Sequence, residues 1–303
     1  ALLKNMGWLD DVKAKTCADV SLVCPDGCLD LTAGACIVAA GFSSRVKLYA
    51  QVLGSEVEKR AAVRLPVLDK HDFLAKYPDL AGRPSSIMLL VDSNLGAFLG
   101  TEGYRITVSK GIRQVLITGP SERSILFGIG RLLRETHLDF HQSYAVKLSS
   151  LCAVSASLAI DSRPEYRMRQ HQVAYRPKTN SYDAFTVQMM QQEILDLALF
   201  GTNGIEVIPP GIDDAEQSPN FTVPWLQMLA EVSCWCDRLD LDVSIWYPAF
   251  FPSYDDEATF AKAKAHWGTI FSAMPRLDVL FVPGGDPGGR PAEEFFRVVE
   301  MQT

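Results

Sequence analysis

LDLALFGTNGIEVIPP, residues 195–210, carries the reading of the fold. An apolar helical run ends at Gly201, and a short β-type run, Ile205–Ile208, follows and is closed by Pro209-Pro210. Glycine ends a helix because it enters the left-handed backbone region at no steric cost. Proline stops a strand because it has no N–H to give to the ladder. Working outward, the same rhythm recurs. A strand is expected over about Tyr166–Tyr175 and a helix over Asp183–Phe200, burying Phe185, Met189, Ile194, Leu197 and Ala198. Next come a helix over Pro224–Leu239, a strand over Asp242–Trp246, a helix over Asp256–Met274, a strand over Leu277–Val282 and a helix from Pro291. Four β/α units point to a (β/α) barrel, which needs about 250 residues when complete. The residues from Pro164 onward are too few for eight units, so they read as the first half of a TIM barrel, which is favoured, or as a small open sheet.

Before Pro164 the pattern is irregular. Val20–Cys24 and Ala35–Ala40 read as strands, Ser43-Ser44 caps a helix running to about Arg60, and Ser86–Val91 is a further strand. Gly103–Val108 and Gln114–Thr118 alternate and are expected to pair, followed by a helix from Ser121 to Glu135. A small sheet with two helices on one face satisfies this. Residues 149–164 are small and polar-flecked and read as a linker or extended segment. The chain is thus α/β, with a small α+β accessory domain at 1–150 and the barrel portion at 151–303.

Composition excludes several classes. Lys and Arg total 29 against 36 Asp and Glu, a net charge of −7, which suits no polyanion partner. With 48% hydrophobic and 21% charged residues the chain is not disordered. No stretch approaches the roughly 20 apolar residues of a membrane span. The N-terminus shows no export signal. Seven cysteines, at 17, 24, 28, 36, 152, 234 and 236, lack metal-site spacing. They read as buried or bystander thiols, or as one disulfide near the N-terminus. No metal or cofactor is expected.

Ligands of parallel sheets meet the C-terminal strand ends, which selects four places. Arg167-Met168-Arg169-Gln170-His171-Gln172 is polar for an interior strand, so it is either a solvated edge or the floor of a pocket. Glu206, an acid between Ile205 and Val207, needs an arginine partner or a site. Trp246 and Tyr247, with Phe250, Phe251 and Tyr254, form either a wall for a sugar face or core packing. VPGGDPGGRP, residues 282–291, brackets Asp286 with four glycines, leaving its carboxylate little to pack against. An anion cradle there would lack the Gly-Lys-Ser/Thr ending, and its central acid would repel phosphate. No Gly-x-Ser-x-Gly is present, and His137, His141 and His266 read as surface or linker residues.

Two further stretches carry a resemblance. SSRVKLYAQVLGSEVEKRAAVRLPV (43–67) and EGYRITVSKGIRQVLITGPSERSILFGIGRLLRE (102–135) resemble the small α/β domain that precedes the barrel in α-glucuronidases and β-N-acetylhexosaminidases. IDSRPEYRMR (160–169) resembles the first barrel strand of hexosaminidases, and VPGGDPG (282–288) their Gly-Gly-Asp-Glu loop, with Pro287 at the Glu position. The resemblance implies a glycoside hydrolase acting on a polysaccharide or glycan, α-glucuronidase-like in one version. It implies an extracellular or extracytoplasmic setting. Arg169 would hold sugar hydroxyls, Asn203 would match the asparagine before the second strand, and Asp286 would orient substrate. Glycosidic cleavage uses two carboxyl groups, here Asp286 and Glu206, with Arg169, His171, Trp246 and Tyr247 contacting carbohydrate. A carbohydrate-binding protein without turnover is the alternative.

Overall fold

The computed structural model describes residues 22–41, 43–142, 148–178, 182–251, 253–284, 286 and 289–303. Cys17 and most of the Val20–Cys24 run lie outside them; Leu22–Cys24 are not strand. The chain divides into two compact units, Ala1–Pro164 and Glu165–Thr303.

The first unit is built on β2 (Cys36–Ala40), whose five residues are all buried. Such a run is satisfied only between other strands, with both faces covered. Accordingly β3 (Val67–Asp69) and β4 (Ser86–Val91) flank it in parallel, and β6 (Gln114–Gly119) pairs in parallel with β4. β5 (Tyr104–Ser109) returns antiparallel to β6, as the alternation predicts. Helix α1 (Ser44–Ala61) starts where the Ser43 side chain accepts the Val46 N–H at 3.2 Å, and it ends at Ala62 in the left-handed region, φ 53°. Short α2 (Lys70–Lys76) and α3 (Gly96–Leu99) fill connections, and α4 (Glu122–Glu135) is capped by Ser121 and packs beside α1.

Residues 149–164 are not a linker. β8 (Leu148–Ser155) sits between β1 (Cys28–Asp30) and β7 (Thr136–Gln142) in an antiparallel three-stranded sheet. His137 and His141, expected on the surface or in a linker, both lie on β7, where His137 is exposed as expected and His141 is half-buried. β9 (Ala159–Ser162) extends the larger sheet from β5, where Arg105 grips Asp161 directly opposite at 2.6 and 2.7 Å. Small polar residues gave no sign of this because strand pairing is non-local. The first unit thus runs on to Pro164 instead of ending near 150. The six described cysteines, 24, 28, 36, 152, 234 and 236, are free thiols, which removes the disulfide expectation among them.

Gly128 on α4 is a close approach of helix to sheet: a Cβ there would lie 2.5 Å from Ile117 Cγ2 and 3.5 Å from Tyr104. Gly128→Ala should lose about 1–3 kcal/mol by overpacking, partly offset by about 1 kcal/mol of helix propensity. Urea denaturation checks it, and a stabilised variant would refute this reading of the contact.

In the second unit β10 (Gln170–Val173), β11 (Gly204–Val207), β12 (Asp242–Trp246) and β13 (Val279–Phe281) pair in parallel in chain order. Helices α5 (Val187–Leu199), α6 (Trp225–Leu239), α7 (Glu257–Ala273) and α8 (Ala292–Gln302) follow them. Right-handed crossovers between sequential parallel strands put the connecting helices on one face of the sheet. That face holds Val173, Ile205, Val207, Val243 and Ile245, all buried. The described strands close no barrel. The strand expected over Tyr166–Tyr175 shrinks to four residues, and α5 begins at Val187, not Asp183, because Thr186 accepts the Met189 N–H as its cap. No helix among the described residues is long and apolar enough to cross a membrane.

Candidate functional site

Strand register decides which side chains meet. Gln172, Glu206 and Ser244 lie opposite one another across three strands, on the face that bears no crossover helix. Gln170 shares that face by alternation. Glu206 is 7% exposed, and both of its oxygens are taken: Gln170 Nε2 donates to Oε2 at 3.0 Å and Gln172 Nε2 to Oε1 at 2.6 Å. Ser244 Oγ donates to Gln170 Oε1 at 2.9 Å and ties in the third strand. The partners are amides, not the arginine that is one of the two alternatives for an acid inside an apolar strand. Among the described strands β10 is a sheet edge, and Gln170 and Gln172 are exposed on it.

Trp246 lies two residues beyond Ser244 on the same face and is mostly buried at the C-terminal strand end. Asp286 is exposed in the segment after β13, at the same end of the sheet. Gly285, Pro287 and Gly288 lie outside the described residues, so the glycine bracket is described only in part.

Three expected contacts are not brought to this face. His171 pairs in register with Ile205, so it lies on the opposite, helix-bearing side. Arg169 precedes β10, at the N-terminal end, and its guanidinium donates to the carbonyls of Gly201 at 2.6 Å and Tyr166 at 2.8 Å. Four strand residues at about 3.3 Å each separate it from the other end of β10. Asn203 is buried and acts as a clamp, accepting from the Arg169 N–H at 2.8 Å and donating to the Arg167 carbonyl at 2.7 Å. Tyr247 is 1% exposed, its hydroxyl 2.6 Å from His266 Nδ1 and its ring against Trp267 and Phe250. Burial pushes the Tyr247 phenol well above its usual range and holds His266 below the usual imidazole value. The aromatic run after β12 is largely packing: Tyr254 and Phe251 join Ala249, Ala263 and Val298 in one cluster. His266, expected at the surface, is half-buried in that wall.

The residues that the reading of the sequence missed lie in the loops after β10 and β11. Tyr175 stacks on Phe221 at 4.6 Å, and its hydroxyl accepts the Thr222 N–H at 2.8 Å. Buried Asp183 accepts from Ser218 Oγ at 2.6 Å and Asn220 Nδ2 at 3.2 Å. Asp213 is gripped by Arg176 Nη1 and by Lys178 Nζ, each at 2.6 Å. Burial pushes the Asp213 carboxyl up, but the Lys178 hydrogen bond and the two cationic charges outweigh it and hold the group below the usual carboxylate range. The signal available in advance was length: residues 208–224 form no helix or strand. Loops longer than about 12–15 residues are uncommon in compact domains unless functional.

Among the described residues Asp69, His71 and Asp72 bring potential ligand atoms within 4.8 Å of one another. Asp69 is already occupied in capping α2 through the Asp72 N–H at 2.8 Å, so the group is read as a helix start.

No family model matches the chain, and no curated protein matches it. Solved structures do. The GH20 β-N-acetylhexosaminidase of Streptomyces coelicolor superposes with a TM-score of 0.64 at 15% identity, covering 93% of this chain and 62% of that one. The chitobiase of Flavobacterium johnsoniae gives 0.55 at 12% identity, covering 85% and 42%. A GH138 enzyme targeting pectin rhamnogalacturonan II gives 0.54 at 11% identity, covering 88% and 33%. The chain spans less than two thirds of the length of each. At these identities the likeness concerns the fold, and the fold is that of hexosaminidase-like glycoside hydrolases.

Proposed function

We propose that this chain hydrolyses O-glycosidic bonds of a polysaccharide or glycan. Its parallel strands would serve as the first half of a (β/α) barrel and hold the sugar at their C-terminal ends. The observation that supports this best is the Gln170–Glu206–Gln172–Ser244 ladder on the face without helices, with Trp246 beside it at the strand tips. A buried carboxylate fully matched by amide donors is a rigid polar floor, and an indole next to it suits the C–H face of a pyranose.

Two carboxyl groups share the work in this reading. Asp286, exposed, is the group free to exchange a proton with solvent and deliver it to a leaving oxygen. Glu206, with both oxygens bonded, is the fixed negative charge that stabilises the oxocarbenium-like centre. Arg169, His171 and Tyr247 enter as supports of the strand ends and not as sugar contacts. An α-glucuronidase-like specificity rests on the resemblance of residues 43–67 and 102–135 alone.

The test is release of p-nitrophenol from p-nitrophenyl N-acetyl-β-glucosaminide, α-glucuronide and α-rhamnoside. At least one should be cleaved, and Glu206→Gln should slow that cleavage tenfold or more. Gln leaves a near-isosteric group, so the thermal midpoint should move by only a few degrees. The reading fails if none of the three is cleaved, or if the variant keeps full activity.

A further inference from the structure

We propose that His266 is a positioning residue for the aromatic wall at the strand tips. Its Nδ1 takes the hydroxyl hydrogen of Tyr247 and so holds the neighbouring Trp246 in place, and it lets go when the ring gains a proton. The consequence for sugar rests on the glycan reading above and deepens it with a residue that touches no substrate.

A strand sends successive side chains to opposite faces. Trp246, the last residue of β12, stands on the helix-free face, and Tyr247, the next residue, turns toward α7. The backbone there is tied to β13 by the Tyr247 N–H, which donates to the Phe281 carbonyl at 3.0 Å. On the α7 side the phenol is buried, with its ring centre 5.0 Å from that of Trp267 and 5.5 Å from that of Phe250, and its hydroxyl is 2.6 Å from His266 Nδ1. Among the described residues no other hydrogen-bond partner reaches that hydroxyl, so its hydrogen is matched only while Nδ1 is a bare acceptor. Losing that match in apolar surroundings is costly.

Protonation reverses the donor. An imidazolium carries hydrogen on both nitrogens, so Nδ1 can only donate, and the phenol must turn its own hydrogen toward the neighbouring rings. The phenol itself stays un-ionised, since burial pushes it far up. Burial is also the main influence on His266 and holds its pKa below the usual imidazole value of 6.5. Of the charges that face it, Glu216 in the loop after β11 favours the charged ring, and Lys262, one turn earlier on α7, opposes it. Trp225 and Phe250 face it as rings. A base whose folded pKa is lowered favours the neutral form in the fold, so the link is intact at neutral pH and breaks as the pH falls through the folded pKa.

The experiment follows the Trp246 indole Nε1–Hε1 resonance of ¹⁵N-labelled protein, assigned by Trp246→Phe, as the pH falls from about 7.5 to about 5, the span in which histidine titrates. In the wild type it should move along a one-proton curve with a midpoint below 6.5. That curve should vanish in His266→Asn, where a neutral Oδ1 replaces Nδ1 as acceptor, and in Tyr247→Phe, where the hydroxyl is gone. On whichever p-nitrophenyl glycoside is cleaved, KM should rise threefold or more over the same span in the wild type and stay nearly level in His266→Asn. An unmoved indole, an equal curve in either variant, or an equal rise of KM in His266→Asn overturns the proposal. The two readings fail separately. An indole that moves as expected while no glycoside is cleaved keeps the positioning role and sinks hydrolysis, whereas cleavage with an unmoved indole does the reverse.

Discussion

Arg276→Ala is expected to destabilise the second unit by about 3 kcal/mol. Arg276 stands just before β13 and gathers four carboxylates: Asp278 at 2.8 Å, Asp242 at 3.0 Å, Asp240 at 3.3 Å and Asp237 at 3.8 Å. Its side chain is only 17% exposed, while the partners range from 27% to 55%. Burial works against the guanidinium charge, yet the hydrogen bonds and charges of Asp278 and Asp240 outweigh it and raise the pKa of Arg276. The backbone is tied in as well, since Ser233 Oγ donates to the Arg276 carbonyl at 2.7 Å and accepts its N–H at 2.9 Å.

Breaking a buried pair costs about 3–5 kcal/mol, and an exposed pair is worth about 0–1 kcal/mol. The clamp lies between these limits and nearer the first, because removal leaves four like charges facing one another. That amounts to a fall in Tm of about 10 °C for a unit of this size. Arg276→Lys should recover little, since an ammonium cannot present the planar fork that several carboxylates share. Added salt should narrow the gap between wild type and variant by screening the remaining repulsion. A loss below about 1 kcal/mol by denaturant titration would show the clamp to be surface decoration.

For Asp286→Asn the expected result is a kcat lower by about 10²–10⁴-fold, the range for removing a general acid. An amide keeps the shape and loses the proton. The diagnostic is the leaving group: a dinitrophenyl glycoside departs without protonation, so the variant should lose far less on it than on an alkyl glycoside. An equal loss on both leaving groups would remove Asp286 from the acid role while leaving Glu206 testable on its own.

Much of the second unit was legible before any coordinates, for local reasons. Gly201, Pro209-Pro210 and the Asp256 and Ser43 caps mark element ends through backbone chemistry confined to a few residues, and the structure places boundaries within a few residues of them. What failed was whatever depended on pairing. Residues 149–164 read as a linker because small, polar residues hide two strands: β8, which joins β1 to its neighbour β7, and β9, which pairs with β5; β1 and β5 lie far away in sequence. His171 and Gln172 are adjacent in the chain, and a period of two puts them on opposite faces without telling which face the helices cover.

The same limit applied to the site. An acid at position 206 had to have partners, but only cross-strand register named Gln170 and Gln172. Arg176, Lys178, Asp213 and Asp214 looked like ordinary loop charges until folding set the two loops against each other. The sequence by itself determined the alternation of strands and helices, their caps and breaks, and the presence of an acid inside an apolar strand, because these follow from nearest-neighbour sterics and periodic burial. The tertiary structure alone decided which charges meet, which end of the sheet Arg169 occupies and which face stays free of helices, because those depend on contacts between residues tens of positions apart.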